Sequence, residues 1–173
     1  MKLNLPYNFP YAIIIYIRFM GVFRKFFSIY CIIVFLVFML LLFPFVIFAS
    51  FFGKVKGGNM VYKICGLWAD LAFFFWGIGH KYIYEAPKLD TAVFIFNHIS
   101  YLDAAILVKA FRKRPVRVLG KAEMAQVPIF GFIYKRVCIL VDRSNSKSRY
   151  QVFEKKKKRI HQGLSICIFP EGG

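Results

Sequence analysis

At 173 residues the chain is long enough for one domain and a short appendage. Hydrophobic residues make up 59% and aromatic residues 20%, with 22 Phe, more than a soluble domain of this size carries. The 25 Lys and Arg against 8 Asp and Glu leave a formal charge of +17, which seeks phosphate. The apolar content decides which phosphate. It sets aside a nucleic-acid module and points to an anionic phospholipid membrane as the partner.

The apolar residues gather at the amino end. Residues 11–25 mix them with a few cations and suit a membrane interface. No charged residue occurs from 26 to 53, beyond the roughly 20 residues that a helix needs to cross a bilayer core. The run is too long and starts too late for a signal peptide, and no A-x-A site follows. Arg18, Arg24 and Lys25 flank one end, Lys54, Lys56 and Lys63 the other, so charge sets no direction. Pro44 would interrupt the backbone ladder. A single tilted span and a bent, re-entrant pair with both ends cytoplasmic both fit. Residues 61–81, with Trp68 and Trp76, form a second helix candidate. Lys63 and Asp70 disfavour a full span there, so it reads as amphipathic or partly inserted. The turn over 85–90 marks a boundary, with membrane-associated helices over 1–86 and a second domain over 87–173.

Beyond the boundary the pattern alternates. Strands are expected over 91–96, 115–119, 137–141 and 164–169. A helix over 103–111 begins at its own acidic cap, and a helical stretch punctuated by Pro128 and Gly131 follows the second strand. Another helix covers 146–162, with Ser144 and Asn145 as candidate caps and Gly163 as its stop. The fold class is therefore α/β, a mainly parallel sheet with flanking helices, preceded by hydrophobic N-terminal membrane helices. In the 146–162 helix Tyr150, Phe153 and Ile160 share a face, which makes the KKKKR run at 155–159 its solvated side, turned toward anionic headgroups. The final strand ends in Pro170-Glu171-Gly172-Gly173 with no helix to cover it, so a truncated chain is expected. Cys31, Cys65, Cys138 and Cys167 stand far apart with no metal-ligand spacing and read as structural thiols. No metal or cofactor is expected: no P-loop, zinc motif or dinucleotide fingerprint occurs.

The chemistry gathers at Asn97-His98-Ile99-Ser100-Tyr101-Leu102-Asp103. The apolar run 92–96 delivers His98 to the carboxyl end of a buried strand, where open α/β sheets place their sites. Positions five apart differ by about 140° around a helix, so His98 belongs in the loop and Asp103 in the first helical turn. An aspartate placed there can hold one imidazole nitrogen and leave the other free as a base. This is two-thirds of a catalytic triad with no serine or cysteine beside it as nucleophile, as though the substrate supplies the hydroxyl. His80 and His161 have no acid at suitable spacing and read as incidental.

Three segments together carry a resemblance. Asn97-His98-x-Ser100-x-x-Asp103, then Lys121-Ala122-Glu123 with Pro128, Gly131 and Val141-Asp142-Arg143, then Phe169-Pro170-Glu171-Gly172 resemble the motifs of the glycerolipid acyltransferase family, in particular the 1-acyl-glycerol-3-phosphate acyltransferases. Order and spacing agree across residues 91–173. Two departures stand out: Gly173 occupies the usual threonine position of the third motif, and the fourth motif is missing. The resemblance implies acyl transfer from acyl-CoA or acyl carrier protein, as co-substrate, to the sn-2 hydroxyl of a lysophospholipid acceptor, giving phosphatidic acid. It implies His98 as base and Asp103 as its orienting partner. Arg143 would hold the acceptor phosphate, Glu171 and Gly172 would help bind the acceptor, Ser100 would steady the oxyanion, and Lys121 would contact phosphate. It places the enzyme at the membrane, its catalytic domain facing the cytoplasm. Another lysophospholipid or amino-lipid acceptor, or an inactive truncated membrane protein, are the competing readings.

Overall fold

The computed structural model describes residues 9–83, 91–98, 100, 102–114, 116–142 and 146–170. The chain divides into two compact units, Met1–Val37 and Phe38–Gly173.

The uncharged run lies in one helix, α1 (Phe9–Ser50), 42 residues long. Within its stretch Met20–Ser50, 31 residues long, an 18-residue window reaches a mean hydropathy of 3.2. At 1.5 Å per residue it rises about 46 Å, against a hydrocarbon core of about 30 Å. Among the described residues it is the one helix long and apolar enough to cross a membrane. Ser28 and Ser50 turn their hydroxyls back to the carbonyls of Arg24 and Val46, at 2.8 and 2.7 Å, which satisfies a polar group inside an apolar helix. Pro44 lies within α1 and does not end it. Proline removes a single amide, and in apolar surroundings the helix remains the way to pair the other backbone groups.

The chain reverses at Gly53 instead. Its φ of 82° is open to glycine, and a π-helical turn (Gly53–Gly57) leads into α2 (Gly58–Phe75). Val61 packs with Val46 and Ala49, and Ile64 and Cys65 join the same cluster beside Phe43. Phe75 meets Phe38 at 5.2 Å between ring centroids, so α2 runs antiparallel to the last turns of α1. The helix expected to reach residue 81 stops at Phe75. Gly77 takes φ 70°; the Ile78 N–H donates to the Phe73 carbonyl at 2.9 Å and the Gly77 N–H to that of Phe74 at 3.2 Å. This pair of bonds closes a helix around a left-handed glycine.

After it come β1 (Val93–Ile95), α3 (Leu102–Ala110), β2 (Val116–Lys121), a 3-10 turn (Ala122–Gln126), α4 (Phe130–Val137), β3 (Cys138–Val141), α5 (Ser146–His161) and β4 (Ser165–Ile168). The four strands form one parallel sheet in the order β1-β4-β2-β3. The chain steps one way from β1 to β3 and returns to insert β4. Because parallel crossovers are right-handed, the returning helix must cross on the other face. It does: Tyr62, Leu107, Val116 and Cys167 form a core with Phe94 and Phe111 on one side. Ile139, Val152 and Ile166 pack together under α5 on the other.

Two expectations change here. β1 is not buried on both faces: it is an edge strand whose Phe94 packs on Phe111, at 4.5 Å between centroids, while Val93 and Ile95 are exposed. On α5 the core-facing residue is Val152, 3% exposed, whereas Tyr150 and Phe153 are 71% and 61% exposed and Ile160 is also exposed. The apolar trio is therefore not the buried face. Among the described side chains of α5, Val152 is the one that packs on the β3 and β4 side chains Ile139 and Ile166.

Candidate active site

All four strands end at one edge of the sheet, since all are parallel. That edge collects Asn97 and His98 after β1, Phe169 and Pro170 after β4, Lys121 at the end of β2, and Val141 at the end of β3. At about 4.8 Å per strand, β2 lies about 10 Å and β3 about 14 Å from β1.

His98 and Asp103 meet. The Nδ1–Oδ2 distance is 2.9 Å, with the two side chains 35% and 20% exposed. A carboxylate only accepts, so Nδ1 carries the proton, and in the neutral ring Nε2 keeps its lone pair. The same Oδ2 accepts the backbone N–H of Ser100 at 2.8 Å. In return the Ser100 hydroxyl oxygen accepts the Leu102 N–H at 3.2 Å, and its carbonyl accepts the Asp103 N–H at 3.1 Å. Ser100 is thus the N-cap of α3, and Asp103 closes a reciprocal capping box. One oxygen both starts the helix and holds the imidazole.

The far end of α3 is pinned as firmly. Lys109 Nζ reaches Asp70 Oδ1 at 2.7 Å, Arg112 pairs with the other oxygen of the same carboxylate, and Lys109 lies 4.7 Å above the Phe73 ring. Burial alone would raise the Asp70 carboxyl, but hydrogen bonds and charge from Lys109 and Arg112 hold it below its usual value. Leu102 and Ala105 pack with Ala69, Phe73 and Trp76, which seats the first turn of α3 against α2.

Of the other residues singled out by sequence, Lys121 is exposed at the end of β2. Ser100 serves the cap, and its N–H is already taken by Asp103. Arg143, Glu171 and Gly172 lie outside the described residues. The four cysteines are free thiols. Burial pushes Cys65 and Cys167 up to about 12, so they stay protonated and make poor nucleophiles. Among the described residues no three His, Cys, Asp or Glu side chains gather as a metal site would require. Open grooves on α5 and between α2 and α3 include neither His98 nor Asp103.

Sequence reasoning gave Phe169 no role of its own, yet its ring lies 4.6 Å from that of His98, centroid to centroid. Its signal was partial: it ends the last expected strand, but the pairing of that strand with the one carrying the histidine appears only in the assembled sheet. It also passed over Arg117, buried near the opposite end of β2, where its guanidinium donates to Asn59 Oδ1 at 2.7 Å. Burial, with a smaller contribution from Arg159, lowers it to about 10.

Residues 80–173 match the family model described as Acyltransferase. The chain is 34% identical over 92 residues to a probable 1-acyl-sn-glycerol-3-phosphate acyltransferase of Mycoplasma pneumoniae, covering 51% of this chain and 34% of that protein. Its counterpart of the same name in Mycoplasma genitalium is 28% identical over 117 residues, 65% of this chain and 42% of that one. A lyso-ornithine lipid O-acyltransferase of Pseudomonas aeruginosa is 28% identical over 88 residues, 51% of this chain and 33% of that one. The chain spans less than half the length of these curated relatives. No solved structure matches it.

Proposed function

The chain belongs to the acyltransferase family, and from that premise we propose that it acylates a lysophospholipid at a membrane. The acceptor is the sn-2 hydroxyl of 1-acyl-glycerol-3-phosphate, the donor an acyl thioester of coenzyme A or acyl carrier protein, and the product phosphatidic acid. The observation that carries this is the 2.9 Å bond from His98 Nδ1 to Asp103 at the carboxyl edge of the sheet. It leaves Nε2 as the nitrogen that acts as base, while burial keeps the thiols Cys65 and Cys167 protonated elsewhere in the fold. Two relatives named for this acceptor support the choice. The apolar stretch Met20–Ser50 supports the membrane.

Nε2 takes the proton of the acceptor hydroxyl as that oxygen attacks the thioester carbonyl. Asp103 keeps Nδ1–H in place and stabilises the imidazolium that forms. The tetrahedral oxyanion collapses, the C–S bond breaks, and the departing sulfur takes the proton back from Nε2. Ester and thiol leave, and His98 is neutral again. Arg143, with Lys121 as a second cation, holds the acceptor phosphate. Glu171 and Gly172 bind the glycerol end, Gly172 by letting backbone come close. Ser100 steadies the oxyanion through its hydroxyl hydrogen, the donor that the cap does not use.

In anionic phospholipid vesicles, His98→Ala in the full chain should abolish transfer from oleoyl-CoA to lysophosphatidic acid and stay vesicle-bound. Unchanged turnover would sink the mechanism. One relative is named for lyso-ornithine lipid, which favours a second reading with that acceptor class. Offering both acceptors to the same preparation decides between them.

A further inference from the structure

The Asp103 bond fixes one atom of the His98 ring and leaves the imidazole free to swing about it. Phe169 lies against that ring. Its ring is tilted 32° to the imidazole at 4.6 Å between centroids, face toward face.

Phe169 is itself held. It is half-buried and follows directly on β4, where the Ile168 carbonyl accepts the Phe96 N–H at 3.1 Å. The Phe96 ring stands 6.5 Å from Phe169 and 5.8 Å from Phe111, and Phe111 is 4.5 Å from Phe94. A column of rings therefore runs from the core under α3 up to the imidazole. Strand pairing between β1 and β4 builds it, so the ring beneath His98 is set by the sheet.

We infer that Phe169 is a positioning residue for acyl transfer, orienting the His98 ring and stabilising the imidazolium formed in the reaction. This rests on the reading of His98 as the base. An aromatic face attracts a cation lying over it. The charge on His98 exists only once the hydroxyl proton has moved, so the attraction favours the transition state over the bound substrates and acts on kcat. Cation–ring contacts range from exposed to desolvated settings; over that range, losing this one lowers kcat roughly two- to thirtyfold.

The test uses the full chain in anionic phospholipid vesicles, with oleoyl-CoA and lysophosphatidic acid. Phe169→Leu should lower kcat by that factor with both KM values unchanged, and Phe169→Tyr should restore kcat to within about threefold. Wild-type kcat in Phe169→Leu, equal losses in the Leu and Tyr variants, or a loss confined to KM each overturn the inference. If Phe169→Leu does not fold, Phe169→Met fills the same gap without a ring and is read the same way. Independently of turnover, the ring protons of His98 should show an upfield ring-current shift in NMR that Phe169→Tyr keeps and Phe169→Leu loses. A wild-type His98 without that shift also overturns it. His98→Ala in the same preparation separates the two claims: if it stays active, the base assignment fails. If it is inactive while Phe169→Leu is as fast as wild type, only the positioning role fails.

Discussion

Asp103 has two tasks that pass through one oxygen, and two substitutions pull them apart. Asp103→Ala removes the acceptor for the Ser100 N–H at 2.8 Å and for His98 Nδ1 at 2.9 Å. Loss of a capping interaction costs about 1 kcal/mol, which in a chain of this size lowers Tm by roughly 2–4 °C. Asp103→Asn keeps a side-chain oxygen for the Ser100 N–H and gives up only the negative charge at the amino end of α3, about 0.5 kcal/mol. Its Tm should fall less than that of the alanine variant. Catalysis should not follow stability. An amide can present N–H to His98, which selects the wrong tautomer, and it cannot stabilise the imidazolium; in a histidine–aspartate pair this lowers kcat by about 10⁴-fold. Thermal melts followed by circular dichroism, with acyl-transfer rates on the same samples, read both. If Asp103→Asn turns over within tenfold of wild type, the orienting role is wrong. If Asp103→Ala melts with wild type, so is the cap.

On α5, Val152→Ala should destabilise by about 2 kcal/mol, the loss of two buried carbons and a small cavity, whereas Phe153→Ser should stay within about 0.5 kcal/mol of wild type. The reverse order in chemical denaturation would put the apolar trio back on the buried face. The Asp70 clamp gives a pH signature. Its carboxyl is held below 3.8 when folded, so its contribution is present above the unfolded value and is lost as pH falls through the lowered folded one. Asp70→Asn should melt below wild type at neutral pH, and the gap should close below pH 3.8; a gap that stays constant into acid refutes the clamp.

Much of this fold was legible because its signals are local. Strand and helix alternation from residue 91 onward placed every element of the sheet, with ends moved by a residue or two. The missed features were set by partners distant in sequence. Pro44 suggested a break, but what turns the chain is the positive φ of Gly53, followed by α2 folding back on Phe43 and Val46. The helix expected to reach residue 81 ran past Gly77, although that glycine is the left-handed stop. On α5 a periodic apolar face looked like the core face. The sheet instead offers Ile139 and Ile166 to Val152, and no pattern within the helix could reveal that choice.

The spacing of the histidine and aspartate follows from the same local rules. Ser100-x-x-Asp103 is itself a capping-box pattern, and the structure uses it as one. Once Asp103 is the third residue after the cap, its carboxylate must point back over the helix start toward the chain that enters it. A histidine two residues before the cap lies in that entering chain, at the end of a parallel strand, within reach of the same oxygen. The four intervening residues are therefore the distance from a strand end, through a cap, to the first turn of a helix. Phe169 obeys no such local rule. It reaches His98 through the pairing of β1 with β4, 73 residues apart at Val93 and Ile166 by subtraction, which is why only the assembled sheet brings the ring and the imidazole together.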